Sequence, residues 1–170
     1  TMLGKIERKT NPAAYVAWRL LHRHCGKEDS RYAVRCIYVE NGTGYATDGR
    51  RAAIAPFPDV PDGTYIVDRC NARELTVLNY TGDENGPPRE MPPIREVMVD
   101  PEHTNIRGWS LEGINDFNNK IKTKVGFLVG NLRVATGRQI NPDFLEPVIE
   151  ADMDWVRGVG TDDWGKPLHF

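Results

Sequence analysis

Three absences narrow the reading of this 170-residue chain before any motif is considered. It has no apolar run near the roughly 20 residues that a membrane helix requires, and its first residues, TMLGKIERKT, lack the apolar core of an export signal. A cytoplasmic protein with no membrane partner is the expectation. Cysteine is scarce: Cys25, Cys36 and Cys70 are odd in number and show no CxxC spacing, which argues against a disulfide framework. Charge of one sign is lacking as well, because the formal net charge is only -2. A balance of this kind neither demands nor forbids a polyanionic partner, since a local patch outweighs the total.

The distribution of charge says more than the sum. Thr1 to Arg35 holds eight Lys or Arg against three acids, whereas Gln139 to Phe170 holds two against seven. That polarity fits a polyanion-facing surface, head-to-tail self-association, or two halves that attract within one fold. The length suits one substantial core, and a single domain spanning 1–170 is expected, with a Pro- and Gly-rich excursion at about 81–93.

The organising stretch is Arg31 to Phe57. Val34, Ile37 and Val39 interleave with Tyr32, Cys36 and Tyr38, then Asn41-Gly42 offers the positive φ of a tight hairpin turn. A second strand follows, turned or bulged at Asp48 to Arg51. Upstream, Met2 to Arg8 reads as a strand. Asn11-Pro12 starts a helix, by a side-chain cap and a proline at N1. Ala14, Trp18, Leu21 and Cys25 share one helical face, Arg19, Arg23 and Lys27 another, and Gly26 ends the helix.

Downstream, Thr64 to Val67 reads as a short strand and Asp68 to Asn79 as a helix with Arg69 and Arg73 four residues apart. Ile94 to Val99 reads as a strand, and Ser110 as the cap of a helix through Ile121. Lys124 to Val129 and Leu132 to Ala135 read as a hairpin across Gly130-Asn131, with Val125, Phe127 and Val129 inward. Asn141-Pro142 repeats the earlier helix entry. Pro147 disfavours that helix unless it begins later or kinks. Trp155 to Val159 and Leu168 to Phe170 close the chain as strands. The class is α+β: antiparallel sheets with helices on one face.

The segments GYATDGRRAAIA and DGTYIVDRCNAREL, following a strand, a helix and an Asn-Gly turn, resemble a domain of the bacterial DNA polymerase III beta sliding clamp. Thr47, Asp48, Gly49, Arg50, Arg51 and Ala52 carry the likeness, with Thr64 to Leu75, Asn141 to Leu145 and Lys166 to Phe170. The resemblance implies a clamp-like fold of repeated βαβββ modules, helices toward DNA, no catalysis and no cofactor. It implies duplex DNA and replication proteins as partners. With room for one such domain, the chain would need several copies, a homo-oligomer, to form a ring. The candidate DNA-binding residues are Arg19, Arg23, Lys27, Arg50, Arg51, Arg69 and Arg73. Glu146, Glu150 and Asp152 depart from the pattern, since they would repel phosphates, and a clamp-like protein of a prophage or mobile element stays open.

Two other classes compete. Asp48, Asp152 and Asp154 are oxygen ligands that a metal-dependent nuclease would use, though no diagnostic spacing joins them. His22, His24 and Cys25 lack a second zinc-ligand pair. A protein-interaction module would draw on Trp109, Trp155, Trp164 and the loop from Thr81 to Pro93. No nucleophile elbow, HExxH helix, phosphate-binding loop or dinucleotide fingerprint occurs.

Overall fold

The computed structural model describes residues 2–27, 34–82, 90, 92–94, 105–110, 120–136, 140–150 and 155–160. The chain divides into two compact units, Thr1–Ile94 and Arg95–Phe170.

In the first unit, β1 (Met2–Glu7) and α1 (Pro12–Arg23) precede β2 (Ile37–Glu40), β3 (Thr43–Thr47), β4 (Ala52–Pro56), β5 (Gly63–Cys70) and β6 (Glu74–Asn79). The six strands form one sheet in the order β1-β6-β5-β2-β3-β4, with every neighbouring pair antiparallel. Asn11 caps α1 by accepting a hydrogen bond from the Ala14 amide at 3.2 Å, and Pro12 takes the first turn. The Asn-Gly turn also forms as its composition dictates. Asn41 and Gly42 have φ of 52° and 70°, which aligns Glu40 with Thr43 and Tyr38 with Tyr45.

Strand alternation gives the sheet two different faces. Ile37, Val39, Ala46, Ala55, Tyr65, Leu75 and Val77 turn toward α1 and meet Tyr15, Trp18 and Leu21 in one core. Trp18 is its centre, 4.5 Å from the Phe57 ring and 5.6 Å, edge-on, from Tyr65. Gly44 is required here by space: a Cβ would lie 2.3 Å from the Phe57 ring and 2.8 Å from Leu21. On the other face Cys36, Tyr38 and Tyr45 pack with Ile94, flanked by Ile54, Ile66 and Tyr80.

Three expectations change in this unit. Helix α1 ends at Arg23, with the His24 amide donating to Leu21 O at 2.9 Å, so Gly26 lies beyond it. Gly26 instead donates to Val34 O at 2.8 Å, in a place where a Cβ would meet the Val34 side chain at 2.6 Å. The expected helix from Asp68 to Asn79 is the β5–β6 hairpin. Leu75 and Val77 are both fully buried while Thr76 and Leu78 are only half-buried, a period of two that overrides the Leu75–Leu78 spacing. Ile94 lies in a short 3₁₀ turn, and the rest of the strand expected to Val99 lies outside the described residues.

In the second unit, β7 (Asn105–Ser110) pairs antiparallel with β8 (Trp155–Gly160), and α2 (Lys120–Thr136) packs on α3 (Pro142–Glu150). The hairpin expected between Lys124 and Ala135 is therefore α2. Val125, Leu128 and Leu132 at helical spacing join Leu145 and Ile149 in a core, and Phe127 remains 39% exposed. Gly130-Asn131 is no turn: the Asn131 side-chain amide donates to Phe127 O at 2.8 Å, one helical turn back. Ser110 ends β7, and the helix expected from it lies outside the described residues up to α2. Helix α3 carries Pro147 inside it and keeps that residue buried. The expected closing strand at Leu168 to Phe170 lies outside the described residues. An α+β fold with an antiparallel sheet and helix packing is thus present. Among the described residues, no helix is long and apolar enough to cross a membrane.

Candidate nucleic-acid interface

The segment that carries the clamp resemblance is built as a turn between β3 and β4. Asp48 Oδ1 accepts from the amides of Arg50 at 2.9 Å and Arg51 at 3.0 Å, an arrangement that a short carboxylate beside Gly49 (φ 84°) makes readily. Thr47 Oγ1 closes the turn by donating to Arg51 O at 2.6 Å and accepting from the Gly49 amide at 3.0 Å. The Arg51 guanidinium then donates through Nε to Asp48 Oδ2 at 3.0 Å and through Nη2 to Arg23 O at 2.9 Å. That second bond satisfies a carbonyl at the end of α1, where cations are favoured. Burial works to raise the Asp48 carboxyl, but the two amides and the Arg51 guanidinium outweigh it and hold it below the usual carboxylate value.

Arg51 is therefore occupied inside the fold, while Arg50 on the same turn is exposed. Arg19 and Arg23 are half-buried on α1, one turn apart. Lys27 is exposed past the helix end. Arg69 stands beside the irregularity in β5 between Val67 and Arg69 and is 85% exposed, with Asp68 at a loose 3.9 Å. An ion pair this open contributes about 0–1 kcal/mol and leaves the guanidinium accessible. Arg73, also exposed, belongs to the β5–β6 turn rather than to a helix. The structure thus parts the seven residues: Arg23, Lys27, Arg50 and Arg51 belong with the β3–β4 turn and the end of α1, Arg69 and Arg73 flank the β5–β6 turn, and Arg19 lies on α1 bonded to Tyr15.

Between these groups sits a residue that sequence reading missed. Tyr15 is fully buried, donates its hydroxyl to Asn71 O at 2.5 Å, and accepts from Arg19 Nη1 at 3.0 Å. The guanidinium carbons of Arg8 and Arg19 stand 5.9 and 6.0 Å from its ring centroid. Arg8 in turn donates its amide to Arg73 O at 2.7 Å. Tyr15 could have been found from its place three residues before Trp18, on the same helical face.

The alternative chemistries find less to work with. His24 is buried, with Nδ1 2.8 Å from Leu20 O, and burial pushes its pKa below the usual value. The Cys25 thiol has its one proton within reach of Leu21 O at 3.4 Å and Cys36 O at 3.7 Å, and burial pushes it up to about 12, leaving it a poor metal ligand or nucleophile. Among the described residues no group of three or more His, Cys, Asp or Glu side chains could hold a metal. Asp152, Asp154 and Trp164 lie outside the described residues. No family model, curated protein or solved structure matches this chain.

Proposed function

We propose that residues 1–94 form a non-catalytic, clamp-like module that associates with DNA through phosphate contacts and so serves replication proteins. One observation carries the DNA reading: a buried tyrosine on α1 gathers Arg8 and Arg19 about its ring and ties them to the turn that bears Arg73. Arg23 extends the same basic character one turn along α1. Contacts of this kind fix a protein on the backbone without reading bases, so the expected affinity is sequence-independent and salt-sensitive. Fluorescence anisotropy with duplex and single-stranded DNA across a salt series, alongside light scattering, tests it. Saturable binding by a multimer, weakened by R19A/R23A more at low salt than at high salt, is the expected result. A loss that ignores salt, or no binding by the wild type, refutes it.

A protein-interaction role has its own support in the second unit, where Phe127 is 39% and Val134 88% exposed on α2, two turns apart on one face. It predicts self-association or partner capture that does not respond to salt.

A further inference from the structure

We infer that the outer edge of β4 pairs with the same edge of a second copy of this chain, joining two six-stranded sheets into one. The inference stands apart from the phosphate contacts above, and DNA has no part in its test.

The hydrogen bonds of β4 decide which of its backbone groups face outward. Phe57 N donates to Gly42 O at 2.7 Å and Asp48 N to Arg51 O at 3.3 Å. Bonding alternates along an antiparallel ladder, so the bonded pairs between them are Gly44 with Ala55 and Ala46 with Ala53. Ala52, Ile54 and Pro56 therefore aim their backbone groups away from β3. β4 ends the sheet, and among the described residues no further strand bonds to it. Ala52 and Pro56 are exposed.

The two edges of the sheet are defended differently. β1 carries Lys5 and Glu7 and is irregular between Met2 and Gly4, features that discourage a further strand. From Ala52 to Ala55 the other edge bears no charge. Its larger side chains are already committed, Ala53 and Ala55 to the core beneath α1 and Ile54 to the opposite face. What β4 offers a partner is backbone, the currency of strand addition. Pro56, which lacks an amide, is its one blunting residue.

A second copy fits this edge by two-fold symmetry. With Ile54 opposite Ile54 of the second copy, the two exchange both backbone bonds, and Ala52 of each copy donates to the Pro56 carbonyl of the other. The missing proline amide then falls at the strand's end, where it leaves only the exposed Ala52 carbonyl to water. The same register puts Arg50 of each copy beside the Pro58-Asp59 segment of the other. Arg50 and Asp59 are exposed and opposite in charge, and among the described residues neither makes an ion pair within its own chain. A contact of this kind closes with two copies and leaves no open β4 edge.

Sedimentation equilibrium of the full chain without DNA, from about 1 to 300 μM, reads the association; one strand edge is a small interface, and a Kd on the order of 10–100 μM is expected. A52P removes an outward donor without touching the β3–β4 ladder, and it abolishes the dimer over that range. R50E weakens the dimer by about three- to tenfold at low salt, and the double reversal R50E/D59R restores it. Wild type that stays monomeric throughout overturns the inference, as it would if the edge instead took a strand from another protein. A dimer that A52P leaves intact overturns it as well, and so does one that V134E abolishes while A52P does not, since the contact would then lie on α2. If A52P does not fold, R50E and R50E/D59R decide the matter, because both side chains are exposed: no loss in R50E, or no recovery in the double variant, overturns the pairing.

Discussion

Replacing Arg51 by alanine should destabilise the first unit by about 2 kcal/mol, even though the residue sits in a surface turn. The side chain makes two charge-assisted hydrogen bonds, to Asp48 Oδ2 and to Arg23 O. In a well-buried setting each would be worth about 1.5–3 kcal/mol. Both partners of the ion pair are 21% exposed, so solvent screens part of this and about 1 kcal/mol apiece is the better figure. Asp48 keeps its two backbone amides and is not stranded, which spares R51A a further penalty. For a unit of this size, 2 kcal/mol is a fall of about 8–16 °C in Tm. Urea unfolding followed by circular dichroism gives the quantity directly, with R50A as the matched control on the same turn. R50A should stay within about 0.5 kcal/mol of wild type. R51K should fall between, since an ammonium can serve Asp48 or Arg23 O but lacks the fork that reaches both. The reasoning is refuted if R51A and R50A unfold at the same urea concentration, for the bonds would then contribute nothing net.

Gly44→Ala should cost about 3 kcal/mol, because the new methyl displaces the Phe57 ring from Trp18 and the backbone offers no way round; chemical denaturation reads the shift. Stability should also fall as the solution is acidified below 6.5, the ordinary histidine value, since buried His24 binds its proton less readily folded than unfolded. The unfolding midpoint measured between about pH 7.5 and 5 should decline in wild type and decline less in His24→Gln, with half-buried His22, lowered by burial and then by Arg23, supplying the remainder.

Local signals with a single structural meaning were legible in the sequence. Asn11-Pro12, Asn41-Gly42 and Asn141-Pro142 each name a cap or a turn by chemistry alone, and each forms where expected. Apolar spacing was less decisive. Leu75 and Leu78 stand three apart, as on a helix, yet Thr76 and Val77 favour a pleated strand, and the open edges of β1 and β5 decide for β6 between them. In α2 the opposite occurred. Gly126, Gly130 and Asn131 resemble turn residues, but neither glycine meets any neighbour that a helix would crowd, and burial of Leu128 and Leu132 against α3 fixes the segment as helical. The basic group about Tyr15 was half legible. Arg19 and Arg73 stood out as charges, whereas Arg8 joins them through its place by the Tyr15 ring and a backbone bond to Arg73 across 65 positions of sequence, which no spacing rule encodes.

The placement of β1 beside β6 has a consequence for how the unit is made. The chain's first strand is paired with its last strand in that sheet, Lys5 opposite Thr76 and Ile6 opposite Leu75. The meander from β2 to β4 needs only neighbours and can zip up early, whereas β1 must wait for a partner some seventy residues behind it. On the ribosome, β1 emerges before every other strand of its sheet and gains its partner only when β6 has followed. During that interval its edge is open, and only Lys5 and Glu7 stand there as charges that discourage pairing with a stranger.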